Sequence, residues 1–234
     1  MSQSAQPSAL ERIHDLGVIP VIRAASEATA LKIAEALIGA GLNIIEITMT
    51  VPNATAVMAS IARRFGDHVV LGAGTVTSPA EADAAAEAGC AFIVTPCLLP
   101  DVVRAASARH VPTICGAMTP TEIFEAHRAG ADLVKVFPAS ALGGPAYVRA
   151  VRGPFPHIGL VATGGVGLDT MAAYFEAGVV AVGVGGELIS RAAVAAGDFR
   201  EVGEAGRTFL EAARRARLRP AFAPSTAGQT EESR

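Results

Sequence analysis

The chain has 234 residues, 51% hydrophobic and 18% charged, which is enough for one substantial core and short for two ordinary domains. Its net charge of −3 provides no broad basic field, which argues against nucleic acid or an anionic membrane as partner. No run approaches the roughly 18 apolar residues of a membrane span, no secretory leader opens the chain, and Cys90, Cys97 and Cys115 lack CxxC spacing; a cytoplasmic protein with reduced, mostly buried thiols is expected.

Along the chain, a flexible leader at 1–8 precedes a short helix at Ala9 to Leu16. Apolar strand candidates then alternate with alanine-rich helical intervals. The strands are read at Val18 to Ile22, Ile44 to Thr48, Val69 to Gly72, Phe92 to Thr95, Pro112 to Cys115, Leu133 to Phe137, Gly159 to Ala162 and Val180 to Val184. Between them, Glu27 to Ala40 carries Ala30, Ile33, Ala34, Leu37 and Ile38 at helical spacing, and the next interval carries Ala56, Met58, Ile61 and Ala62. Ser78-Pro79 with Glu81, and Thr119-Pro120 with Glu122, mark helix starts. An Ala-Gly pair at 40–41, 88–89, 129–130 and 177–178 marks helix ends. A terminal helix is expected at Phe199 to Leu218, followed by a disordered tail at 219–234. Eight strands at this spacing predict one (β/α)8 barrel domain over 9–218; a doubly wound open sheet is the alternative, disfavoured by the lack of an early GxGxxG turn.

Lys135 is one of two lysines, with Lys32, against 17 arginines. It lies within an apolar strand, where an unpaired ammonium is costly to bury. A neutral amine there attacks a carbonyl to form a Schiff base, a role arginine cannot take. A structural lysine whose head reaches water or a carboxylate is the competing explanation. Glu46, an acid in the second strand, is placed to share the barrel mouth and move protons; a carboxylate held by backbone amides or paired with the lysine is its alternative. Gly164 and Gly165 follow the seventh strand, and Gly185 and Gly186 the eighth, where short loops aim backbone amides at a phosphate. His14, His68, His110, His127 and His157 are scattered, so no metal is expected, and no cofactor.

The segments VIPVIR, EITMT, LGAGTV, FIVTPC, GAMTPTE, LVKVFPA, GPFP, ATGGV and AVGVGG together resemble the family of 2-dehydro-3-deoxy-6-phosphogluconate (KDPG) and 4-hydroxy-2-oxoglutarate (KHG) aldolases, over about residues 9 to 210. The resemblance implies a metal-independent class I aldolase on a (β/α)8 barrel, a homotrimer, that cleaves a keto-deoxy sugar acid phosphate to pyruvate and glyceraldehyde 3-phosphate. It makes Lys135 the Schiff-base lysine and Glu46 the general acid/base. Thr75, Pro96, Phe137 and Thr163 fall on keto-acid contacts, and Gly164, Gly165, Gly185 and Gly186 on the phosphate region.

Two positions depart from the pattern. Thr50 stands where some members carry an arginine for the substrate carboxylate, which leaves Arg23, at the end of the first strand, as the substitute. A strand-end ion pair is the alternative role for Arg23. Gly186 stands where serine is frequent, which removes a hydroxyl donor from the phosphate region. The galactonate-derived epimer as substrate, an isomerase or epimerase using Glu46 with Lys135 as electrostatic partner, and a noncatalytic binder of phosphorylated ligands are the competing functions.

Overall fold

Each strand carries its larger apolar residues alternately to the inside and the outside of a sheet that closes on itself. In the computed structural model, which describes residues 7–218, β1 (Val18–Ile22), β2 (Ile44–Thr48), β3 (Val70–Gly74), β4 (Phe92–Val94), β5 (Thr113–Ala117), β6 (Leu133–Val136), β7 (Leu160–Thr163) and β8 (Ala181–Val184) are all parallel and pair in sequence order. β8 returns to β1, with Val18 opposite Val182. Closure rules out the open-sheet alternative and abolishes both edges. Residues 1–6 of the predicted leader and the whole predicted tail lie outside the described residues.

Two apolar layers hold the barrel. Inside it, Ile19, Ile44, Val70, Phe92, Val94, Ile114 and Val161 pack together with Ile13. Ile13 comes from α1 (Ala9–Leu16), which seals the N-terminal end of the barrel. This helix starts in a capping box between Ser8 and Glu11 that chain-order reading missed, and it ends on Gly17 at φ 74°. Outside, the opposite strand faces meet α2 (Glu27–Gly39), α3 (Ala54–Phe65), α4 (Pro79–Glu87), α5 (Pro100–Ala108), α6 (Pro120–Arg128), α7 (Gly144–Arg152), α8 (Met171–Glu176), α9 (Arg191–Ala196) and α10 (Phe199–Leu218). On α10, Gly203 and Gly206 let α2 approach closely: a β-carbon at 203 would stand 3.2 Å from the Ala36 carbonyl.

The local signals behave as their chemistry dictates. Ser78 and Thr119 accept hydrogen bonds from the amides of Glu81 and Glu122, each with a proline in the first turn. Gly41, Gly89, Gly130 and Gly178 take φ of 93°, 89°, 95° and 93°, the left-handed turn that ends a helix and aims the chain at its next strand. Three expectations need correction. Ala56 is exposed and Val57 is buried instead, because the buried stripe of α3 runs through Ala54, Val57, Met58 and Ile61, and Ala56 lies off it. β3 and β5 run on to Gly74 and Ala117, beyond the predicted Gly72 and Cys115, since a glycine facing a barrel interior continues the ladder where free-standing glycine reads as a stop. The helix α9 went unread, its six residues being too few to show a period.

Candidate active site

The register places the two buried ionisable groups on opposing walls. Glu46 of β2 stands between Val21 and Gly72, and Lys135 of β6 between Gly116 and Val161. Three strands separate β2 from β6 either way around the eight-stranded barrel, so both side chains, on inward-facing positions, face the same upper chamber. Glu46 is 3% exposed and Lys135 4%.

Glycines make the room for them. A β-carbon on Gly74 would overlap the Glu46 carboxylate, and one on Gly183 would overlap the Thr163 hydroxyl. A β-carbon on Gly116 would stand 2.5 Å from the Cys97 amide nitrogen and the Pro96 carbonyl carbon. The chain after β4 therefore folds across the inner face of β5, over the mouth. Thr95 fixes this crossing: its buried hydroxyl accepts from the Gly116 amide at 2.8 Å and donates to the Cys97 carbonyl at 2.7 Å. Thr95 was not foreseen, although it stands beside Pro96 in the FIVTPC segment.

Burial sets the charge states. Desolvation pushes the Lys135 amine below the ordinary lysine value; the Glu46 carboxylate opposes that shift and Arg23 reinforces it, while the thiols of Cys115 and Cys97 oppose it weakly. Desolvation likewise raises Glu46 above the usual carboxylate range, against the pull of Lys135 and Arg23. No hydrogen bond contributes to either shift, so the amide-capped reading of Glu46 does not apply. In the low-dielectric chamber burial works against the charged form of each group, and their mutual attraction works for it. The Lys135 Nζ lies 5.0 Å from the Phe137 ring centroid.

The remaining predicted residues ring the mouth. Thr75, half-buried, follows β3 at φ 56°, a conformation that strains a β-branched residue by roughly 1–3 kcal/mol and persists where surrounding structure fixes it. Phe137 and Pro138 lie 3.3 and 3.2 Å from where a Gly164 β-carbon would stand. The loops after β6 and β7 are tied by the Ala139 amide to the Thr163 carbonyl at 2.8 Å and by the Ser140 amide to the Gly164 carbonyl at 3.0 Å. Gly164 and Gly165 take φ of 95° and 71°, which only glycine adopts in succession at little strain. Gly185 is near Arg23, whose terminal nitrogen is 3.4 Å from a β-carbon built there, and Gly186 borders open space.

Arg23 leaves β1 exposed, and its charge acts on both Glu46 and Lys135. It shares one cleft of about 430 Å³ with Thr50, so the two positions weighed for the carboxylate contact are neighbours. Thr50 is hydrogen bonded to Thr48 at 2.7 Å. Among the described residues no ion pair engages Arg23. Of the cysteines, Cys90 and Cys115 are buried and Cys97 is exposed; the Cys90 thiol is pushed up to about 12 by its apolar surroundings. Among the described residues no group of His, Cys, Asp or Glu is arranged to hold a metal, and no helix is long and apolar enough to cross a membrane.

Comparison with known proteins gives the same picture from another side. The sequence profile described as Aldolase: KDPG and KHG aldolase matches residues 10–205. The chain is 39% identical over 199 residues to a 2-dehydro-3-deoxy-phosphogluconate aldolase of Pseudomonas aeruginosa, covering 83% of this chain and 88% of that protein. It is 36% identical over 174 residues to a 2-dehydro-3-deoxy-6-phosphogalactonate aldolase of Escherichia coli, covering 74% and 84%. Among solved structures, the KDPG aldolase of Legionella pneumophila, with pyruvate captured as a covalent carbinolamine, superposes with a TM-score of 0.79 at 28% identity, covering 86% of this chain and 97% of that one. A closed parallel barrel with an amine and an acid buried in its mouth, matched along most of its length to these enzymes, belongs to the KDPG and KHG aldolase family of class I carbon–carbon lyases.

Proposed function

We propose that this class I aldolase cleaves 2-dehydro-3-deoxy-6-phosphogluconate to pyruvate and glyceraldehyde 3-phosphate, with 4-hydroxy-2-oxoglutarate, giving pyruvate and glyoxylate, as a further substrate. The observation that carries the chemistry is the pairing of buried Lys135 with buried Glu46 across one chamber, where desolvation lowers the amine and raises the acid. The neutral Lys135 amine attacks the C2 ketone, and the Glu46 acid gives a proton to the departing hydroxyl as the carbinolamine loses water. The resulting Glu46 carboxylate takes the C4 hydroxyl proton while the C3–C4 electron pair moves into the protonated imine. The aldehyde leaves, the enamine is reprotonated at C3, and hydrolysis returns pyruvate and the free amine.

The other assignments follow the same frame. Arg23 grips the shared C1 carboxylate bidentately. Thr75, Pro96, Phe137 and Thr163 contact the pyruvyl portion, and Gly164, Gly165, Gly185 and Gly186 leave backbone amides open to the phosphate. The catalytic domain spans 9–218, the assembly is a homotrimer, and the enzyme works in the cytoplasm without metal or cofactor. A mass in solution of three times the chain mass tests the trimer. The identity to the E. coli galactonate enzyme favours a second reading, in which the C4 epimer is the main substrate.

Borohydride reduction in the presence of pyruvate tests the reading. A stable adduct on Lys135, seen by intact mass and peptide mapping, is expected. Its absence under conditions that label another imine-forming enzyme would favour the isomerase, and tight ligand binding with neither lyase nor exchange activity would favour the noncatalytic binder. Comparing kcat/KM for the gluconate and galactonate epimers, their unphosphorylated forms and 4-hydroxy-2-oxoglutarate then fixes the substrate. Equal kcat/KM with and without phosphate would remove the phosphate assignment.

A further inference from the structure

The cleft beside the barrel mouth contains a second arginine that the mechanism above leaves unused. Arg23, Ala25, Thr50, Ile189, Arg191 and Val194 line its 430 Å³, and no carboxylate does. Among the described residues no ion pair or hydrogen bond engages either guanidinium. Two like charges bordering one partly apolar space repel each other and attract an anion.

Local structure brings Arg191 to this place. The Gly185 carbonyl accepts from the amides of Leu188 and Ile189 at 3.0 and 2.8 Å, folding the chain after β8 into a tight turn. The Ser190 hydroxyl then accepts from the Ala193 amide at 3.2 Å, fixing the start of α9 with Arg191 as its first residue. The same turn holds Gly185, beside which the Arg23 guanidinium lies.

Electrostatics separates the two arginines by role. Arg23 perturbs both Lys135 and Glu46, whereas Arg191 is absent from the charges that shift either group. The C1 carboxylate is bonded to the carbon that joins Nζ, so its partner is the arginine whose charge reaches Lys135, which is Arg23. Arg191, lining the same cleft as Arg23, is left to meet the other end of the substrate. We infer that Arg191 is a specificity-determining residue that holds the terminal phosphate of the keto-deoxy sugar acid, from the side where Gly186 offers no hydroxyl. The inference rests on the aldolase reading and adds a charged donor to it.

The test compares the purified full-length chain with Arg191→Ala and Arg191→Lys on the 6-phosphate substrate, its unphosphorylated counterpart and 4-hydroxy-2-oxoglutarate. The expected result is a fall of about 10- to 100-fold in the ratio of kcat/KM for phosphorylated over unphosphorylated substrate in the alanine variant, carried mainly by KM, as for loss of a charge-assisted hydrogen bond. Lysine should restore part of it, since an ammonium keeps the charge and loses the fork. An unchanged ratio overturns the assignment, as does an equal loss on 4-hydroxy-2-oxoglutarate, which would make Arg191 a contact for any distal anion. Pyruvate trapping on the parent distinguishes the failures: an adduct with an unchanged ratio sinks the role of Arg191 alone, and no adduct sinks the aldolase reading beneath it.

Discussion

The carboxylate of Glu46 occupies the space that a β-carbon on Gly74 would need. Glu46 lies on β2 and Gly74 ends the neighbouring β3, so the proposed acid is seated by an absence of side chain on the next strand. Gly74→Ala should therefore displace Glu46 and lower kcat by roughly 10²- to 10⁴-fold, the usual contribution of a positioned acid or base, while pyruvate trapping on Lys135 persists. Overpacking adds a loss of stability of about 1–3 kcal/mol. Steady-state kinetics beside borohydride trapping reads both effects, and an unimpaired kcat would show that the carboxylate works from another position.

Lys135→Ala and Lys135→Arg should abolish the trapped adduct, since neither side chain supplies a nucleophilic amine. Glu46→Gln keeps the size and removes the proton, so it should retain some imine formation and slow both aldol cleavage and enamine exchange. Intact mass and proton exchange from pyruvate measure these separately. An adduct of full strength in either Lys135 variant, or normal turnover in Glu46→Gln, contradicts the assigned roles.

The shifted groups also make a prediction about stability. Because the folded pKa of Lys135 lies below its unfolded value, ordinarily about 10.4, the unfolded chain binds more protons across that window, and stability is lost as pH falls from the ordinary lysine value toward the folded one. Glu46, shifted upward, loses stability as pH rises from the ordinary carboxylate value, about 4.3, toward its folded one. At neutral pH both therefore hold the fold below its attainable stability, as functional groups often do. Lys135→Met should raise Tm at pH 7, with the gain shrinking as pH approaches 10. A lower Tm would mean that the two groups stand ionised as a buried ion pair, whose disruption is destabilising.

Arg23→Ala should weaken every pyruvyl substrate alike, because all share the C1 carboxylate. Arg23 is exposed, so water partly replaces it, and a loss of about 1.5–3 kcal/mol is expected. Arg23→Lys should recover only part of that. Pyruvate affinity, read from the concentration dependence of imine trapping, checks the assignment; an unaltered affinity gives the carboxylate to another group.

At the phosphate end, Gly186 borders open space and its backbone is not left-handed, so Gly186→Ser should be accommodated without strain. The added hydroxyl should raise kcat/KM for the phosphorylated substrate by roughly 2- to 10-fold, the worth of one ordinary hydrogen bond, with no matching gain on the unphosphorylated form. A parallel gain on both would place residue 186 away from the phosphate.

The sequence by itself determined the order of the eight strands, because helix and strand signals are written locally: Ser78 and Thr119 cap, the glycines of the four Ala-Gly pairs turn left-handed, and Phe199–Leu218 is a helix over the span its pattern predicts. It also singled out Lys135 and Glu46, since a charge inside an apolar run is conspicuous without coordinates. Tertiary structure decided what depends on closure. Only the pairing of β8 with β1 places β2 and β6 on opposing walls of one chamber. In the closed barrel Gly74, Gly116 and Gly183 become the space for Glu46, for the crossing loop held by Thr95, and for Thr163. Arg191 carried no signal in the sequence. It joined the cleft because a turn after β8 folds back beside the end of β1, and chain periodicity contains nothing about contacts between residues so far apart in sequence.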